Sequence, residues 1–323
     1  MTKNDLKIVF LGTPEFAVES LRRIVDGGYN VVGVVTMPDK PAGRGHKLYQ
    51  SPVKEFALER GLRLMQPVKL KDPEFVEELR SLDADLFIVI AFRMLPEVVW
   101  TMPRLGTFNL HASLLPRYRG AAPINWAVIN GDTETGVTTF FLKHEIDTGD
   151  IIAQERIEIR PTDNVGDVHD RLMLLGADLT IKTIDDIIAG TLQPIPQERF
   201  LHDCPDPAPA PKIFKETCRI VWTAPALSIH NLVRGLSPYP AAWSTLNDGD
   251  TELGAVKIFE TSICDKPESA LNPGEILIDG AAMYVGTGND KAIEILSLQA
   301  PGKRRMSTAD FLRGSRLNAP RFC

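Results

Sequence analysis

The sequence predicts an α/β fold with a mixed sheet, followed by a small domain built mainly from β-strands. The chain has 323 residues, more than one ordinary core needs, so two domains are expected. Up to residue 193, short apolar strands alternate with amphipathic helices, which is typical of a sheet covered by helices. After a proline-rich stretch, from Pro194 to Pro211, short strand candidates with frequent turn residues predominate, as in a small β-barrel or sandwich.

The first elements form a strand–helix–strand unit. Strand Lys7 to Leu11 is followed by helix Glu15 to Val25 and then by strand Asn30 to Thr36. Thr13 can cap the helix, and Pro14 fits its first turn. Such a unit predicts a parallel sheet. The turn after the first strand lacks the Gly-x-Gly-x-x-Gly pattern with which backbone approaches a pyrophosphate. We therefore interpret the domain as a Rossmann-like scaffold with no nicotinamide site.

The stretch from Met37 to Ser51 is polar, rich in proline and glycine, and predicted to lack secondary structure. It carries several basic side chains against one acid, Asp39. A loop of this kind is either a solvated surface segment or a basic arm that grips phosphate, and composition leaves both interpretations open. The basic residues are Lys40, Arg44, His46 and Lys47.

The remaining elements follow the same patterns. Strand, turn and strand in direct succession from residue 137 to residue 159 predict an antiparallel pair, so the sheet is mixed. Further N-terminal strands are predicted at residues 62–66, 85–91 and 107–110, and further helices at 52–60, 72–82, 97–102, 124–130 and 164–190, the last capped near Thr162 or Asp163. The C-terminal part has helices at 224–236 and 307–313, and strands at 219–222, 242–246, 252–260, 274–278, 281–287 and 292–299.

Composition and charge exclude several classes of protein. With 44% hydrophobic and 24% charged residues, the chain resembles a soluble globular protein. The longest apolar run, Leu86 to Phe92, is too short to cross a bilayer, and the start has no signal region, so we expect a cytoplasmic protein. We also expect a monomer. Four dispersed cysteines predict no metal site. A net charge of −6 does not favour generic nucleic-acid binding.

Three polar side chains could carry chemistry. Asn109 and His111 lie two apart on a predicted strand and therefore share a face, and Asp147 lies in a turn from which it could reach the imidazole. A carboxylate beside a histidine suits general acid–base work, and an amide can stabilise an oxyanion. No cysteine lies near, and Ser113 is in no Gly-x-Ser-x-Gly turn. Direct acyl transfer between two bound substrates fits this set.

The run Asn109-Leu-His-Ala-Ser-Leu-Leu-Pro-Arg-Tyr-Arg-Gly120, followed by Asp147-Thr-Gly-Asp, resembles the signature of the folate-dependent formyltransferases. The resemblance implies 10-formyltetrahydrofolate as co-substrate, no metal, and Asn109, His111 and Asp147 as catalytic residues. It also implies folate contacts from two segments. Their residues are Phe92, Met94, Leu95, Ser113, Leu114, Leu115 and Pro116.

Three further features resemble the branch of that family that acts on tRNA. They are the loop segment 38–45, with Arg44 as its important arginine, the junction 210–213, and the C-terminal runs 233–243, 301–306 and 310–314. They imply formylation of the α-amino group of initiator methionyl-tRNA for translation initiation; the alternative is a sugar-nucleotide amine. A catalytic domain (1–193), a linker (194–211) and an OB-like tRNA-binding domain (212–323) follow from the resemblance. The implied tRNA contacts are Lys40, Arg44, Lys47, Lys212, Lys303, Arg304 and Arg305.

The sequence departs from the family pattern at one position. Where a small aromatic–glycine step is expected on the folate side, the chain has Phe92-Arg93-Met94. Arg93 either projects into solvent or reaches the acidic tail of the folate, and the sequence leaves both possibilities open.

Overall fold

A computed structural model describes residues 1–42, 47–201, 207–265 and 271–323. The chain forms two compact units, and it passes between them more than once. The first unit contains residues 1–120, 135–157 and 169–209, and the second contains residues 121–134, 158–168 and 210–323. As domain boundaries, 193 and 212 remain a prediction.

The first unit is built on a seven-stranded mixed sheet, which confirms the predicted fold class. The strands of the N-terminal part are Ile8–Gly12 (β1), Val31–Val35 (β2), Lys40–Ala42 (β3), Lys47–Tyr49 (β4), Leu64–Met65 (β5), Leu86–Ile90 (β6), Thr107–His111 (β7), Glu134–Phe141 (β8) and Ile151–Glu158 (β9). The sheet order is β5-β2-β1-β6-β7-β8-β9. Pairing is parallel from β5 to β7 and antiparallel between β7 and β8.

Burial explains why β1 and β6 form the centre of this sheet. Every residue of both strands is buried, as expected when the two faces of a parallel sheet are covered. The carboxyl ends of β1, β6 and β7 meet at one edge, because the three strands are parallel neighbours. Ligands of open α/β sheets bind outside this edge, so it positions the site described below.

The helices of the N-terminal part lie close to their predicted ranges. They are Glu15–Asp26 (α1), Pro52–Glu59 (α2), Pro73–Ser81 (α3), Glu97–Trp100 (α4), Pro123–Ile129 (α5) and Val165–Ala189 (α6). Ser51 and Asp72 cap α2 and α3 by accepting hydrogen bonds from the backbone N–H groups of Lys54 and Glu74.

Two predicted caps are wrong. The cap position of α1 is Pro14, so the hydroxyl of Thr13 lies one residue too early and has no hydrogen-bond partner among the described residues. Before α6, the side chain of Asn164, rather than Thr162 or Asp163, accepts from the N–H groups of Gly166 and Asp167. In both cases the pattern located the helix but misplaced its cap by one or two residues.

The basic loop after β2 contains two short strands, so the prediction that it lacks secondary structure is wrong. Strands β3 and β4 form a short antiparallel hairpin within it, with Lys40 opposite Tyr49 and Ala42 opposite Lys47. The ends of the loop are joined by a hydrogen bond between the buried hydroxyls of Thr36 and Ser51, at 2.8 Å. Backbone pairing therefore replaces the expected irregular chain.

The second unit is a nearly closed antiparallel barrel, as predicted. Its strands are Ala242–Asp248 (β10), Thr251–Asp265 (β11), Ile276–Asp279 (β12), Ala282–Gly286 (β13), Lys291–Gln299 (β14), Met306–Ser307 (β15) and Pro320–Phe322 (β16), with helices Ala226–Leu236 (α7) and Thr308–Arg313 (α8). The order β12-β13-β14-β11-β10-β16 closes through one bridge between Glu275 and Arg321.

One predicted strand of the barrel is wrong. Residues 219–222 form no strand; after a 3-10 turn at Glu216–Cys218, only Arg219 makes an isolated bridge, to Trp243. Ile220 and Trp222 are buried in the barrel core, so this short apolar run packs against the barrel without forming a strand. In the described parts of the chain, no helix has the length and apolarity needed to cross a membrane.

Candidate active site

Strand β7 places Asn109 and His111 at the carboxyl edge of the sheet. Asn109 lies between Val89 of β6 and Phe140 of β8, and His111 lies opposite Thr138 of β8. The two side chains share one face of the strand because they are two residues apart. Asn109 is half-buried, and His111 is 8% exposed. The predicted pair therefore sits side by side, largely shielded from solvent.

The chain after β7 turns back over His111. Tyr118 adopts a left-handed backbone conformation with φ of +59°, and Gly120 has φ of +128°, a value that favours glycine. The turn is held from within, since the Ser113 hydroxyl donates to the carbonyl of Arg117 at 2.7 Å. Thr138 of β8 fastens it to the sheet by donating to the carbonyl of Ser113 at 2.6 Å. Segment 118–120 is thereby fixed next to the imidazole.

The His111 ring is oriented by a backbone carbonyl. Its Nε2 lies 2.8 Å from the carbonyl oxygen of Tyr118. A carbonyl only accepts, so Nε2 carries the proton and Nδ1 is the basic nitrogen of the neutral ring. The Phe140 ring lies nearly perpendicular to the imidazole, with ring centroids 6.4 Å apart.

Asp147 binds the same segment from the other side. Its Oδ2 accepts a hydrogen bond from the backbone N–H of Gly120 at 3.0 Å. The sequence predicts that Asp147 could reach the imidazole, but within the described residues no hydrogen bond joins Asp147 to His111. The two side chains instead contact opposite ends of segment 118–120, at Tyr118 and Gly120. The backbone between them links a proton acceptor to a carboxylate.

One contributor to this site was missed in the sequence. Gln197, in the proline-rich stretch, is fully buried and donates to the carbonyl of Asp147 at 2.9 Å. No local pattern signals it, because its partner lies 50 residues away.

The predicted folate contacts differ in accessibility. Met94 is 74% exposed, and Phe92 and Leu114 are half-buried, so these three present surface. The other four shape the site through backbone and packing, because their side chains are buried: Leu95, Ser113, Leu115 and Pro116. The carbonyl and N–H of Leu115 are already bonded, to Gln154 and Thr138 respectively.

The Arg93 side chain does not project into solvent; it turns back onto the backbone of residues 67 and 68. Its guanidinium donates to the carbonyls of Pro67 and Val68, the latter at 2.8 Å, and lies 5.6 Å from the centroid of the Phe92 ring. Burial lowers the pKa of Arg93 below the usual arginine value. Its Nε is buried, with no hydrogen-bond partner in the described parts of the chain. The side chain thus ties the loop after β6 to the loop after β5.

The predicted tRNA contacts fall into separate groups. Arg44 lies outside the described residues, and of Lys47 the structure describes only the backbone. Lys40 is exposed at the start of β3. In the second unit Lys212, Lys303 and Arg304 are exposed. Arg305 is also exposed, but it is engaged by the Glu260 carboxylate and by the Ser297 hydroxyl, so its charge is partly compensated.

The second unit also presents a basic and aromatic surface around the predicted Lys212, to which Phe214, Lys215 and Arg219 add side chains that were not predicted. Exposed Lys215 and Arg219 lie over the ring of Trp243, at 5.4 Å and 5.8 Å from its centroid. Nearby in sequence, Lys212 lies 5.6 Å from the centroid of the exposed Phe214 ring. Cations interleaved with aromatic rings suit the phosphates and bases of a nucleic acid. We call Lys212, Phe214, Lys215, Arg219 and Trp243 the 212–243 surface.

The described residues hold no group of three or more histidine, cysteine, aspartate or glutamate side chains that could bind a metal ion. The site itself offers an amide, an imidazole, a carboxylate and oriented backbone groups.

Comparison with known proteins supplies the family context. The family model described as "Formyl transferase" matches residues 6–184, and that described as "Formyl transferase, C-terminal domain" matches residues 212–316. A methionyl-tRNA formyltransferase of Bacteroides fragilis is 61% identical over 317 residues, 98% of this chain and 97% of the relative. One of Porphyromonas gingivalis is 48% identical over 323 residues, 100% of this chain and 99% of the relative.

Two solved structures share the fold at low identity. An N-formyltransferase from Helicobacter canadensis, in complex with folinic acid and dTDP-3-aminofucose, has a TM-score of 0.67 at 19% identity, covering 90% of this chain and 98% of its own. HypX from Aquifex aeolicus, in complex with tetrahydrofolic acid, has a TM-score of 0.61 at 20% identity, covering 94% of this chain and 46% of its own.

Proposed function

Since this chain belongs to the formyl transferase family, among its methionyl-tRNA formyltransferases, we propose that it transfers the formyl group of 10-formyltetrahydrofolate to the α-amino group of methionyl initiator tRNA. The observation that supports this choice of substrate is identity of 48% to 61% over nearly the whole length of relatives with that name. Both units are matched, so the acceptor-binding part is shared as well as the catalytic part. Formylated methionyl-tRNA then serves translation initiation.

The chemistry is assigned to Asn109, His111 and Asp147. In the proposed step, the methionine amine attacks the formyl carbon, and a C–N bond forms as the carbonyl becomes an oxyanion. The Asn109 amide donates to that oxyanion, as suits a half-buried group preorganised on a strand. The C–N bond to the folate then breaks, and the folate nitrogen leaves with a proton.

Proton transfer is assigned to His111 and Asp147. Nδ1 of His111 takes the proton of the attacking amine, because Nε2–H is committed to the Tyr118 carbonyl. The Asp147 carboxylate, held through Oδ2 by Gly120, accepts from the same amine with its second oxygen. One proton leaves the amine and one reaches the folate nitrogen, so the step is balanced.

The residues on the folate side fit an extended, partly aromatic co-substrate. Phe92, Met94 and Leu114 present apolar surface at the carboxyl edge of the sheet, where ligands of such sheets bind. Arg93 does not compete for this surface, because its guanidinium is occupied by two backbone carbonyls. We assign the folate to this edge and no resident cofactor to the protein.

We assign the tRNA to two basic surfaces. One is the hairpin β3–β4 with Lys40, in the loop that also carries Arg44 and Lys47. The other is the 212–243 surface of the barrel, together with Lys303 and Arg304. Local clusters of this kind can bind phosphate although the net charge of the chain is −6. We place the reaction in the cytoplasm, with the enzyme as a monomer.

The sugar-nucleotide alternative is less well supported. Sugar formyltransferases share the fold at 17% to 19% identity, and likeness at this level carries over no substrate. The basic hairpin loop also has no obvious use with a small nucleotide sugar.

The test is transfer of labelled formyl from 10-formyltetrahydrofolate by the purified chain, with three acceptors in parallel: methionyl initiator tRNA, the same tRNA without methionine, and a dTDP-amino sugar. We expect label on the charged tRNA alone. Label on the amino sugar and none on the charged tRNA would contradict the proposal.

A further inference from the structure

Gln197 is fully buried, and every hydrogen-bonding position of its amide is used. Its Oε1 accepts twice from the Arg119 guanidinium, from Nε at 3.2 Å and from Nη2 at 2.7 Å. Its Nε2 donates twice, to the carbonyls of Asp147 at 2.9 Å and Gly149 at 2.8 Å. An amide has two acceptor and two donor positions, so the side chain is saturated. Such complete pairing of a buried amide fixes it in one orientation.

The partners of Gln197 belong to the two halves of the candidate active site. Arg119 lies between Tyr118, which binds His111, and Gly120, which binds the Asp147 carboxylate. Asp147 itself is bound through its backbone carbonyl. The hydrogen bonds therefore form a closed ring, from Gln197 to Asp147, to Gly120, along the backbone to Arg119, and back to Gln197.

The Asp147 turn needs such support. Asp147 has φ of +55°, a left-handed conformation that is unfavourable for a residue other than glycine. Gly149 lies so close to β8 that an added Cβ would meet the carbonyl oxygen of Phe141 at 1.5 Å. The turn is thus strained and tightly placed, and Gln197 is the side chain that binds the carbonyls at both of these residues.

The segment that carries Gln197 is itself anchored. Ile195 exchanges two backbone hydrogen bonds of 2.8 Å with Ile151, at the start of β9. The 3-10 turn Gln197–Phe200 follows directly. Gln197 is therefore presented from a fixed point of the first unit.

We propose that Gln197 is a positioning residue for formyl transfer. By binding the backbone of the Asp147 turn and, through Arg119, segment 118–120, it holds both in their reactive arrangement. The side chain is fully buried and acts through Asp147 and Arg119 rather than on a substrate. The inference rests on the proposed function, since it assigns Gln197 to the site of that reaction.

Two substitutions separate the parts of this role. Gln197→Glu has the same shape and still accepts from Arg119, but it cannot donate to the two carbonyls. Gln197→Met has a similar volume and makes none of the four bonds. We expect both to lower kcat by about 10- to 100-fold, since displacement of a reacting group has that effect, and to leave both KM values within about twofold.

The pH profile gives a readout that loss of stability alone would not produce. Gln197→Glu brings a negative charge next to the Asp147 turn, and a like charge raises the pKa of a neighbouring proton acceptor. The acidic limb of the kcat profile should therefore move to higher pH in Gln197→Glu and stay in place in Gln197→Met.

Two control variants resemble the Gln197 substitutions, one in removing a buried hydrogen bond and the other in its position in the chain. Thr183→Val removes the buried hydrogen bond between Thr139 and Thr183 and should lower the melting temperature while kcat is kept. Glu198→Gln alters the exposed neighbour in the same 3-10 turn and should change neither. If both Gln197 variants fail to fold, Arg119→Met breaks the same ring at its half-buried member and should lower kcat with unchanged KM.

All variants are assayed together with Asp147→Asn in the intact chain. A fall in kcat at constant KM, with the shifted limb in Gln197→Glu, supports the positioning role. If Asp147→Asn is inactive but the folded Gln197 variants keep the wild-type kcat, the positioning role alone is overturned. If only Arg119→Met folds, a wild-type kcat in that variant has the same meaning. Wild-type turnover in Asp147→Asn overturns the catalytic assignment of Asp147 and the positioning role with it.

Discussion

At the scale of single residues, Arg93 is a charged side chain that joins two loops. Its guanidinium binds the carbonyls of Pro67 and Val68, and its neighbours Phe92 and Met94 present the surface assigned to folate. Hydrogen bonds from a charged donor are the stronger kind, and a planar fork can hold two carbonyls at once. Arg93 therefore fixes the loop after β6 to the loop after β5.

Replacing Arg93 by methionine should weaken folate use without affecting the chemistry. The loss of two charge-assisted bonds lets the loop relax, so we expect KM for 10-formyltetrahydrofolate to rise about three- to tenfold, while kcat and the KM for tRNA stay unchanged. Steady-state kinetics with each substrate varied measure this split. Arg80→Met, at an exposed arginine paired with Glu77, is the control. A fall in kcat at unchanged KM would place Arg93 in the chemistry instead.

His230 contributes a pH dependence to stability. Burial, with the nearby Arg234 charge as a smaller cause, lowers its pKa below the ordinary 6.5, and its Nδ1 lies 3.0 Å from the Thr261 hydroxyl. The unfolded chain binds a proton at this residue at pH values where the folded chain does not. The free energy of unfolding should therefore fall as the pH drops through 6.5.

Thermal unfolding above and below pH 6.5 tests this dependence. His230→Gln should show a smaller loss of melting temperature in acid than the wild type. The exposed His144, replaced by Gln, should leave the dependence as it is. An identical loss in the wild type and in His230→Gln would show that other groups cause the acid sensitivity.

The predictability of the site also differs from residue to residue. Asn109 and His111 could be placed together because a spacing of two on a strand sets one face. Asp147 could be proposed only as a residue within reach, since its bond to Gly120 depends on how the turn after β8 folds. Gln197 was not predictable, because its partners lie 78, 50 and 48 residues away in the sequence.

At the scale of elements, helices α5 and α7 of the second unit pack at unusually short range. A Cβ on Gly235 would lie 2.5 Å from a side-chain carbon of Ile129, 2.9 Å from its backbone nitrogen and 3.2 Å from the Asn125 carbonyl. The Asn125 side chain donates to the Gly235 carbonyl at 2.8 Å. The glycine therefore allows the two helices to touch through their backbones.

Gly235→Ala should destabilise the second unit. Alanine gains about 0.5–1 kcal/mol of helix propensity over glycine, whereas overpacking against backbone costs about 1–3 kcal/mol. The clash outweighs the gain, and denaturant unfolding should show a net loss. Gly314→Ala, where the nearest atoms are 3.8 Å and 4.0 Å away, is the matched control and should be neutral. A Gly235→Ala variant as stable as the wild type would contradict this packing.

Elements with a strong local pattern were predicted well, and those set by tertiary contacts were not. The buried strands β1 and β6 and the capped helices α2 and α3 follow from runs and caps that the sequence displays. The β3–β4 hairpin shows no alternation of apolar and polar residues in the sequence, because only three residues of each strand are paired. The strand predicted at 219–222 is wrong because apolar residues of an irregular segment can also be buried in a core.

At the scale of the whole molecule, the fold class could be predicted from the sequence. The assignment of separate chain segments to the two units could not. The change of pattern after the proline-rich stretch correctly indicated a separate β-rich unit. That residues 121–134 and 158–168 belong to this second unit was not predictable, because it depends on contacts such as that of Asn125 with Gly235. A unit assembled from distant segments leaves no boundary signal in composition.

For the whole molecule, we propose that one site, built from Asn109, His111 and Asp147, transfers the formyl group. Glu145 offers a matched control, because it is an exposed carboxylate in the same turn as Asp147. Asp147→Asn and Glu145→Gln make the same chemical change two residues apart. His111→Ala removes the proposed proton acceptor independently.

The most direct measurement is the turnover of formyl transfer to methionyl initiator tRNA by the folded variants Asp147→Asn, His111→Ala and Glu145→Gln. We expect the first two to lose about 10²- to 10⁴-fold in kcat, the usual contribution of acid–base groups, with melting temperatures close to that of the wild type. Glu145→Gln should keep wild-type turnover. Wild-type turnover in Asp147→Asn and His111→Ala would contradict the assignment of the reaction to this site.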